Sequence, residues 1–109
     1  MKLINCTRRG LRIQYSGGII ALAESGIVPV IHTKRERQAG IRTNDGYMIE
    51  VARPVGSTVT GLPGPVDGTI LITSGNAAEV IKRPDVMSPG KTVTDELGNT
   101  YSLGLNSHC

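Results

Sequence analysis

The sequence contains no phenylalanine and no tryptophan, and tyrosine occurs only three times. Large aromatic side chains supply much of the buried apolar surface of small domains. Without them, the core of this 109-residue chain must consist of isoleucine, valine, leucine, alanine and methionine. We therefore expect a thin core, and a homo-oligomer that buries apolar faces against a second copy.

Cysteine is also scarce, with Cys6 and Cys109 near opposite ends of the chain. Two such residues do not make the disulfide framework that holds many small secreted domains together. Residues 1–5 lack the apolar segment of a signal peptide, and no stretch approaches the roughly 20 apolar residues of a membrane span. We expect a cytoplasmic protein with reduced cysteines, no membrane association and one domain over residues 1–109.

Neither basic nor acidic residues are in large excess. Twelve Lys and Arg residues oppose nine Asp and Glu residues, which gives a formal net charge of +3 and an isoelectric point near 9.1. This mildly basic balance suits a small anionic ligand at least as well as nucleic acid. Nucleic acid is the weaker prediction, because single-stranded bases stack on aromatic side chains that this chain has in small number.

Alternation of apolar and polar side chains predicts strands along most of the chain. Residues 11–15 alternate in this way, residues 16–18 form a turn, and residues 19–23 return as the paired strand. Asn44-Asp45-Gly46 is typical of a tight hairpin turn, because Asp-Gly readily takes positive φ values. Further strands are predicted at residues 28–33, 47–53, 70–73, 93–95 and 101–105.

Three segments between these strands have the composition of loops or turns. Residues 34–38 are too polar to be buried and are predicted as a loop that closes over a ligand or meets another subunit. Residues 61–68 contain two prolines and three glycines, which predicts a stiff loop. The Ser-Pro-Gly sequence at residues 88–90 predicts a turn.

One short helix is predicted at residues 76–82. Ala77, Val80 and Ile81 recur at the spacing of an inward-facing helix surface, and Pro84 ends the helix. Together with the hairpin signals, this predicts an α+β domain. It is mostly antiparallel β, arranged as a small sheet, a sandwich or a barrel-like sheet.

Small polar residues occupy the junction between the strand at residues 70–73 and the helix. The start of a helix directs unpaired backbone N–H groups and the positive end of the helix dipole at one point, which suits a phosphate. Arginine adds planar two-point contacts to an anion. We therefore predict a phosphate site formed by Thr73, Ser74, Gly75 and Asn76 together with Arg8, Arg9 and Arg83.

Each part of this site also has a simpler explanation. Ser74 can cap the helix with nothing bound. Arg83 can pair with Asp85 or Glu79, and the arginines of the middle segment, Arg35, Arg37 and Arg42, can be solvated.

No pattern of nucleophile and base, or of paired carboxylates, matches a known catalytic arrangement. We therefore predict no catalytic residue. Cys6, His32, His108 and Cys109 lack the paired spacing of zinc ligands, so we predict no metal site and no cofactor.

Proline, glycine and charged motifs recur between roughly residues 55 and 105. They are Gly61-Leu62-Pro63, Pro65, Gly68-Thr69, Ser74, Arg83-Pro84-Asp85, Pro89-Gly90, Asp95-Glu96 and Gly98. This pattern resembles a group of small uncharacterised proteins found in phages, prophages and bacterial genomes. Members of that group often carry a Leu-Thr-Pro-His type stretch before the first strand, where this chain has Cys6-Thr7-Arg8-Arg9.

The resemblance implies a phage-related setting, in which small proteins commonly act on the host by stoichiometric binding. Combined with the phosphate site, it leads us to expect a homo-oligomeric counter-defence protein in the host cytoplasm. Its ligand would be a phosphorylated small molecule such as a nucleotide immune signal. One alternative is a phage structural component, or an inhibitor that docks on a host protein. A nucleotide-degrading enzyme is the third hypothesis.

Overall fold

The computed structural model describes all 109 residues as a six-stranded sheet, one helix and a separate two-stranded sheet. The strands are β1 (Lys2–Asn5), β2 (Leu11–Tyr15), β3 (Gly18–Leu22), β4 (Val30–Arg42), β5 (Met48–Thr60), β6 (Thr69–Ile72), β7 (Val86–Thr94) and β8 (Thr100–Ser107). The helix α1 covers Gly75–Ile81 and lies between β6 and β7. The predicted β-rich α+β fold with one short helix is confirmed. No helix in the structure has the length and apolar character needed to cross a membrane.

The six-stranded sheet has the order β1-β6-β7-β8-β2-β3 and nearly closes into a barrel. A parallel bridge between Asn5 in β1 and Glu24, just after β3, joins its two ends. The hairpins β2–β3 and β7–β8 are antiparallel, as their turn residues predict. The pairs β1–β6, β6–β7 and β2–β8 are parallel. The sequence has no turn motif for these parallel pairs, because the two strands of each pair are connected by a longer crossover segment and not by a tight turn.

Strand β6 separates two small apolar cores. The residues of the first core, beneath the helix, are Cys6, Leu71, Ala78 and Val86. The residues of the second core, on the other side of β6, are Leu11, Ile13, Ile70 and Ile72. Because both faces of β6 are covered, its sequence is a continuous apolar run and not an alternation. Only 14 of the 109 residues are buried, so the core is as thin as the absence of Phe and Trp predicts.

Strands β4 and β5, with the turn between them, form an arm over residues 30–60 that does not pair with the six-stranded sheet. Every residue of β4 is exposed. The molecule measures 62 × 38 × 24 Å and has a radius of gyration of 18.8 Å, whereas a compact chain of this length has a radius of about 13 Å. The arm therefore projects well beyond the body formed by the sheet and helix.

The prediction of a loop at residues 34–38 is wrong. These residues are exposed, as their polarity requires, but they form the middle of β4 because their backbone pairs with β5. Register shifts between Lys34 and Arg35 and between Gln38 and Ile41 interrupt the pairing without ending it. A polar composition predicts that a segment is exposed to solvent. An exposed segment can still be an extended strand with a hydrogen-bonded backbone.

The turn predicted at residues 88–90 is also wrong, since these residues lie inside β7. Pro89 is opposite Leu105, and Gly90 lies where β8 comes unusually close. A Cβ atom on Gly90 would overlap the carbonyl oxygen of Leu103, so only glycine fits at this point of the ladder. The Pro-Gly pair is thus a local irregularity of a strand and not a chain reversal.

Candidate functional site

A cavity of about 760 Å³ lies between the base of the arm and the start of the helix. Its volume is within the range of about 300 to 1,000 Å³ that is usual for small-molecule sites. Four separate segments form its wall, namely residues 6–9, 28–31, 74–75 and 89–90, with Leu11 and Thr92 between them. The cavity is the place where the loop after β1, the base of the arm and the start of α1 meet.

Four of the seven predicted phosphate-site residues line this cavity: Arg8, Arg9, Ser74 and Gly75. Thr73 is fully buried behind them, and its hydroxyl donates to the carbonyl oxygen of Ser74 at 3.0 Å. Asn76 is exposed and does not line the cavity, and Arg83 is turned away from it.

Arg8 and Arg9 provide the positive charge of the cavity. Both are exposed, and neither guanidinium takes part in an ion pair or a hydrogen bond within the chain. No carboxylate lines the cavity. Both cations therefore remain available to an anion from solution.

A buried amide holds the loop that carries these arginines. The side chain of Asn5, only 2% exposed, donates to the carbonyl oxygens of Arg9 at 2.8 Å and Leu22 at 3.1 Å. Its oxygen accepts from the backbone N–H of Thr7 at 3.0 Å and from the Thr7 hydroxyl at 2.6 Å. All hydrogen-bonding positions of this amide are used. Asn5 thereby fixes the path of the loop, a role that the sequence pattern does not reveal.

Another part of the wall is apolar. Val28, Pro29, Val30 and Ile31 lead into the arm and line the cavity together with Leu11. The cavity therefore has two chemically distinct parts, a cationic edge at Arg8 and Arg9 and an apolar surface at the base of the arm. Such a combination suits a ligand that has both an anionic group and a flat or apolar part.

The residues at the start of the helix have a mainly structural role. Ser74 is the N-cap residue, and its hydroxyl accepts from the N–H of Ala77 at 3.3 Å, so the capping explanation accounts for its side chain. Gly75 has a negative φ, and no atom lies within 4 Å of the position that a Cβ atom would take. A side chain added there would extend into open space at the edge of the cavity.

Arg83 braces the far end of the helix against the loop that precedes β6. Its Nε and Nη2 atoms donate to the two carboxylate oxygens of Asp85 at 2.9 and 2.6 Å. Its Nη1 atom donates to the carbonyl oxygen of Pro63 at 3.1 Å. The hydrogen bonds from Arg83 lower the pKa of Asp85, and the same bonds raise the pKa of Arg83. The pairing of Arg83 with Asp85 is one of the simpler explanations that the sequence leaves open.

A serine, a histidine and a carboxylate form a hydrogen-bonded chain beside α1. The hydroxyl of Ser88 lies 2.7 Å from Nε2 of His108, and Nδ1 of His108 lies 2.8 Å from Oε2 of Glu79. Serine hydrolases use the same order of groups. However, Ser88 is 3% exposed and does not line the cavity, so its oxygen is not accessible to a substrate. The chain instead attaches the residues after β8 to the helix, and the hydrogen bond from His108 lowers the pKa of Glu79.

The cysteines and histidines are far from a common centre. Cys6 packs in the core beneath the helix, His32 lies on the arm where Nε2 is 2.9 Å from the Thr60 hydroxyl, and His108 binds Glu79. Both cysteines are free thiols. No group of three or more His, Cys, Asp or Glu residues is arranged to hold a metal ion.

No protein-family model, curated protein or solved structure matches this chain. Its function must be argued from the geometry of the cavity.

Proposed function

We propose that the protein is a counter-defence binding protein of phage type that captures a phosphorylated small molecule, such as a nucleotide signal, in the cavity beside the arm. It acts by stoichiometric sequestration, as a homo-oligomer, in the cytoplasm of the host cell. The single observation that carries the proposal is the pair of unpaired arginines, Arg8 and Arg9, at the edge of a cavity with an apolar wall. The resemblance of residues 55–105 to small phage proteins supports the biological setting.

The chemistry of the cavity supports a nucleotide in particular. A phosphate can accept two-point hydrogen bonds from an arginine guanidinium. The base or ribose can lie on the apolar surface of residues 28–31. Inorganic phosphate alone would use only the cationic edge, so it should bind more weakly than a nucleotide.

The state of the two potential nucleophiles at the cavity favours binding of a ligand over its conversion to a product. Cys6 is 1% exposed, and burial raises the pKa of its thiol, which keeps it in the unreactive protonated form near neutral pH. The hydroxyl of Ser74 is engaged in capping α1. A captured ligand should therefore be recovered unchanged.

The test is native mass spectrometry after incubation with a panel of cyclic and linear nucleotides. We expect a retained ligand of unaltered mass, at one per chain or one per pair of chains. A ligand that is retained but converted to a product mass would support the enzyme hypothesis instead.

A steric variant locates the site. Gly75→Leu places a side chain in open space at the cavity edge, so the protein should remain folded and lose the ligand. Gly64→Leu is the matched control, because Gly64 also has open space around its Cβ position and does not line the cavity. Equal retention of nucleotide by both variants would place the site elsewhere.

One observation favours a second candidate, an inhibitor that docks on a host protein without a small ligand. The arm exposes large apolar side chains at its tip, including Ile41, Tyr47, Met48 and Ile49. Exposed apolar patches of this kind mark interaction surfaces. If no member of the nucleotide panel is retained by the wild-type protein, this second candidate becomes the better account.

A further inference from the structure

A second cavity, of about 210 Å³, adjoins the first at the start of β2 and β8. Residues 9–12 and 100–102 form its wall together with Thr92. These two parallel strands pair only from Ile13 and Ser102 onward, so a gap remains between the residues that precede this pairing. The second cavity lies in this gap.

The two cavities border each other. Arg9, Leu11 and Thr92 line both of them. Arg9 and Thr92 are exposed, so a ligand seated in the first cavity can extend across this border into the second. The second cavity is smaller than the roughly 300 Å³ at which sites for whole ligands begin. It therefore suits one group of a larger ligand.

The second cavity has its own positive charge. Arg12 is exposed, and its guanidinium takes part in no ion pair or hydrogen bond within the chain. No carboxylate lines the cavity. Asp95, in the turn that leads to β8, accepts from the backbone N–H groups of Leu97 and Asn99 at 2.9 Å each and is held within that turn. Arg9 and Arg12 are therefore available to an anion.

Ser102 is a buried polar side chain without a partner in the chain. It is 7% exposed, whereas the three other buried polar residues, Asn5, Thr73 and Ser88, are all hydrogen bonded, as buried polar groups generally are. No polar side-chain atom that is shut off from solvent lacks a partner. The Ser102 hydroxyl therefore reaches the second cavity, whose wall it helps to form, and a ligand there would supply the missing partner.

Two threonines extend this polar surface. Thr92 lies directly opposite Ser102 in the antiparallel pair β7–β8, so the two side chains share a face of the sheet. Thr100 is two residues before Ser102 in β8 and shares that face as well. Both threonines are exposed and line the cavity, and neither hydroxyl is hydrogen bonded within the chain. Hydroxyl and guanidinium groups are typical donors to phosphate oxygens, so the second cavity suits a phosphate group.

We infer that the second cavity is a second phosphate subsite of the same ligand site. One phosphate binds Arg8 and Arg9 in the first cavity. Another binds Arg12 and the hydroxyls of Ser102 and Thr92 in the second. The ligand is therefore a compound in which a nucleoside separates two phosphate groups, as in a nucleoside 3′,5′-bisphosphate or a dinucleotide. This inference rests on the proposed function and specifies the class of its ligand.

The placing of the two subsites distinguishes ligands by geometry and not only by charge. A nucleoside 5′-monophosphate fills the first subsite and leaves Arg12 and Ser102 without a partner. A 5′-diphosphate carries both phosphates at the same end of the ribose, so both stay near Arg8 and Arg9. A 3′,5′-bisphosphate carries its phosphates on different sides of the ribose and reaches both subsites.

Calorimetric titration of three series of probes tests the inference. They are the 5′-monophosphates, 5′-diphosphates and 3′,5′-bisphosphates of adenosine, guanosine, cytidine and uridine. For the nucleoside that the wild type binds best, the bisphosphate should bind at least about tenfold more tightly than the monophosphate. Arg12→Ala should remove this advantage and leave the affinity for the monophosphate and the diphosphate unchanged. Arg42→Ala, which removes the same charge from the arm tip, is the control and should keep the advantage.

A serine variant tests the second subsite without a change of charge. Ser102→Ala should weaken binding of the bisphosphate at least about threefold. Its melting temperature should equal that of the wild type, because no hydrogen bond within the chain is lost. A variant that melts at a lower temperature and binds the bisphosphate like the wild type would overturn the assignment of this hydroxyl to the ligand.

The outcomes separate this inference from the proposed function. Equal affinity of the wild type for monophosphate and bisphosphate, or an advantage of the bisphosphate that survives in Arg12→Ala, would overturn the second subsite and leave the proposed function intact. If the wild type binds no nucleoside phosphate of any series, the proposed function is refuted and the second subsite with it.

Discussion

At the scale of single residues, the cavity depends on a side chain that does not face it. Arg8 and Arg9 are held in place by the buried amide of Asn5, which binds the backbone on both sides of the loop. Such a polar group is stabilising while all its partners are present and unfavourable once some are lost. The arginines were identifiable from their residue type, whereas Asn5 was not, because nothing near it in the sequence distinguishes it from a solvated asparagine.

Replacing Asn5 by alanine should lower the free energy of unfolding by about 1 to 3 kcal/mol, since buried backbone carbonyls lose their donor. It should also weaken nucleotide binding, because the loop carrying Arg8 and Arg9 loses its anchor. Chemical denaturation and calorimetric titration measure the two effects. Gln14→Ala removes an exposed amide from β2 and should change neither quantity. An Asn5→Ala protein as stable as the wild type would show that the loop does not need this anchor.

The ion pair of Arg83 and Asp85 should make stability depend on pH in acid. The pKa of Asp85 is lowered in the folded protein by its hydrogen bonds from Arg83. Its stabilising contribution is therefore complete above the ordinary value near 3.8 and is lost as the pH falls through the folded pKa. Asp85→Asn should be less stable than wild type at neutral pH, and this difference should shrink as the solution is acidified below about pH 4.

Denaturation curves at a series of pH values provide this measurement. Asp67→Asn is the control, because Asp67 is exposed and forms no ion pair. A stability difference for Asp85→Asn that stays constant down to strongly acidic pH would mean that the carboxylate does not carry the effect.

At the scale of elements, the start of α1 combines a capping role with a position at the cavity. Ser74 lines the cavity, yet its hydroxyl is already bonded to Ala77. The helix has seven residues, too short for its dipole to carry the site alone. Under the proposed function, the arginines bind the anion, whereas Ser74 and Gly75 shape this edge of the cavity.

Ser74→Ala should destabilise the protein by about 1 kcal/mol through loss of the cap, and Ser74→Asp should retain most of the stability. Thermal melts of both variants beside nucleotide titrations separate the two roles of the residue. If Ser74→Ala melts like the wild type and binds a nucleotide much more weakly, the hydroxyl contacts the ligand and the capping account is wrong.

Local sequence signals identified the elements whose backbone hydrogen-bond partners are only a few residues apart in the sequence. The turn at residues 44–46, the hairpin of β2 and β3 and the helix at residues 75–81 each follow from glycines, alternation or capping. The same signals failed at residues 34–38 and 88–90, where backbone pairing with a distant strand overrides the local preference. Polar or Pro-Gly composition therefore does not exclude a strand once a partner is available.

At the scale of the whole molecule, the cavity arises from pairings that no short segment contains. Parallel pairing of β1 with β6 brings the loop of Arg8 beside the start of α1. The base of the arm closes the third side. Four of the seven predicted site residues line this cavity because they follow strands that end at the same edge of the sheet. The sequence does not predict where the Arg83 side chain points, because its direction is set by its hydrogen bonds to Asp85 and to the carbonyl oxygen of Pro63.

The arm is the other feature that only the complete structure reveals. The polar composition of its central residues predicts that they are exposed. The length of β4 and β5, and the placing of Ile41 directly across from Ile49, depend on the register of the two strands. The expectation that a core without Phe or Trp needs a second copy stays a prediction.

The central claim is that Arg8 and Arg9 bind the anionic group of a ligand in the cavity. Calorimetric titration of a nucleotide retained in the mass-spectrometric panel tests it most directly, with wild type, Arg8→Ala, Arg9→Ala and the control Arg42→Ala, which removes the same charge from the arm tip. We expect saturable binding by the wild type and Arg42→Ala, and at least about tenfold weaker binding, or about 1.4 kcal/mol, when either cavity arginine is removed. Equal affinity in all four proteins would contradict the account.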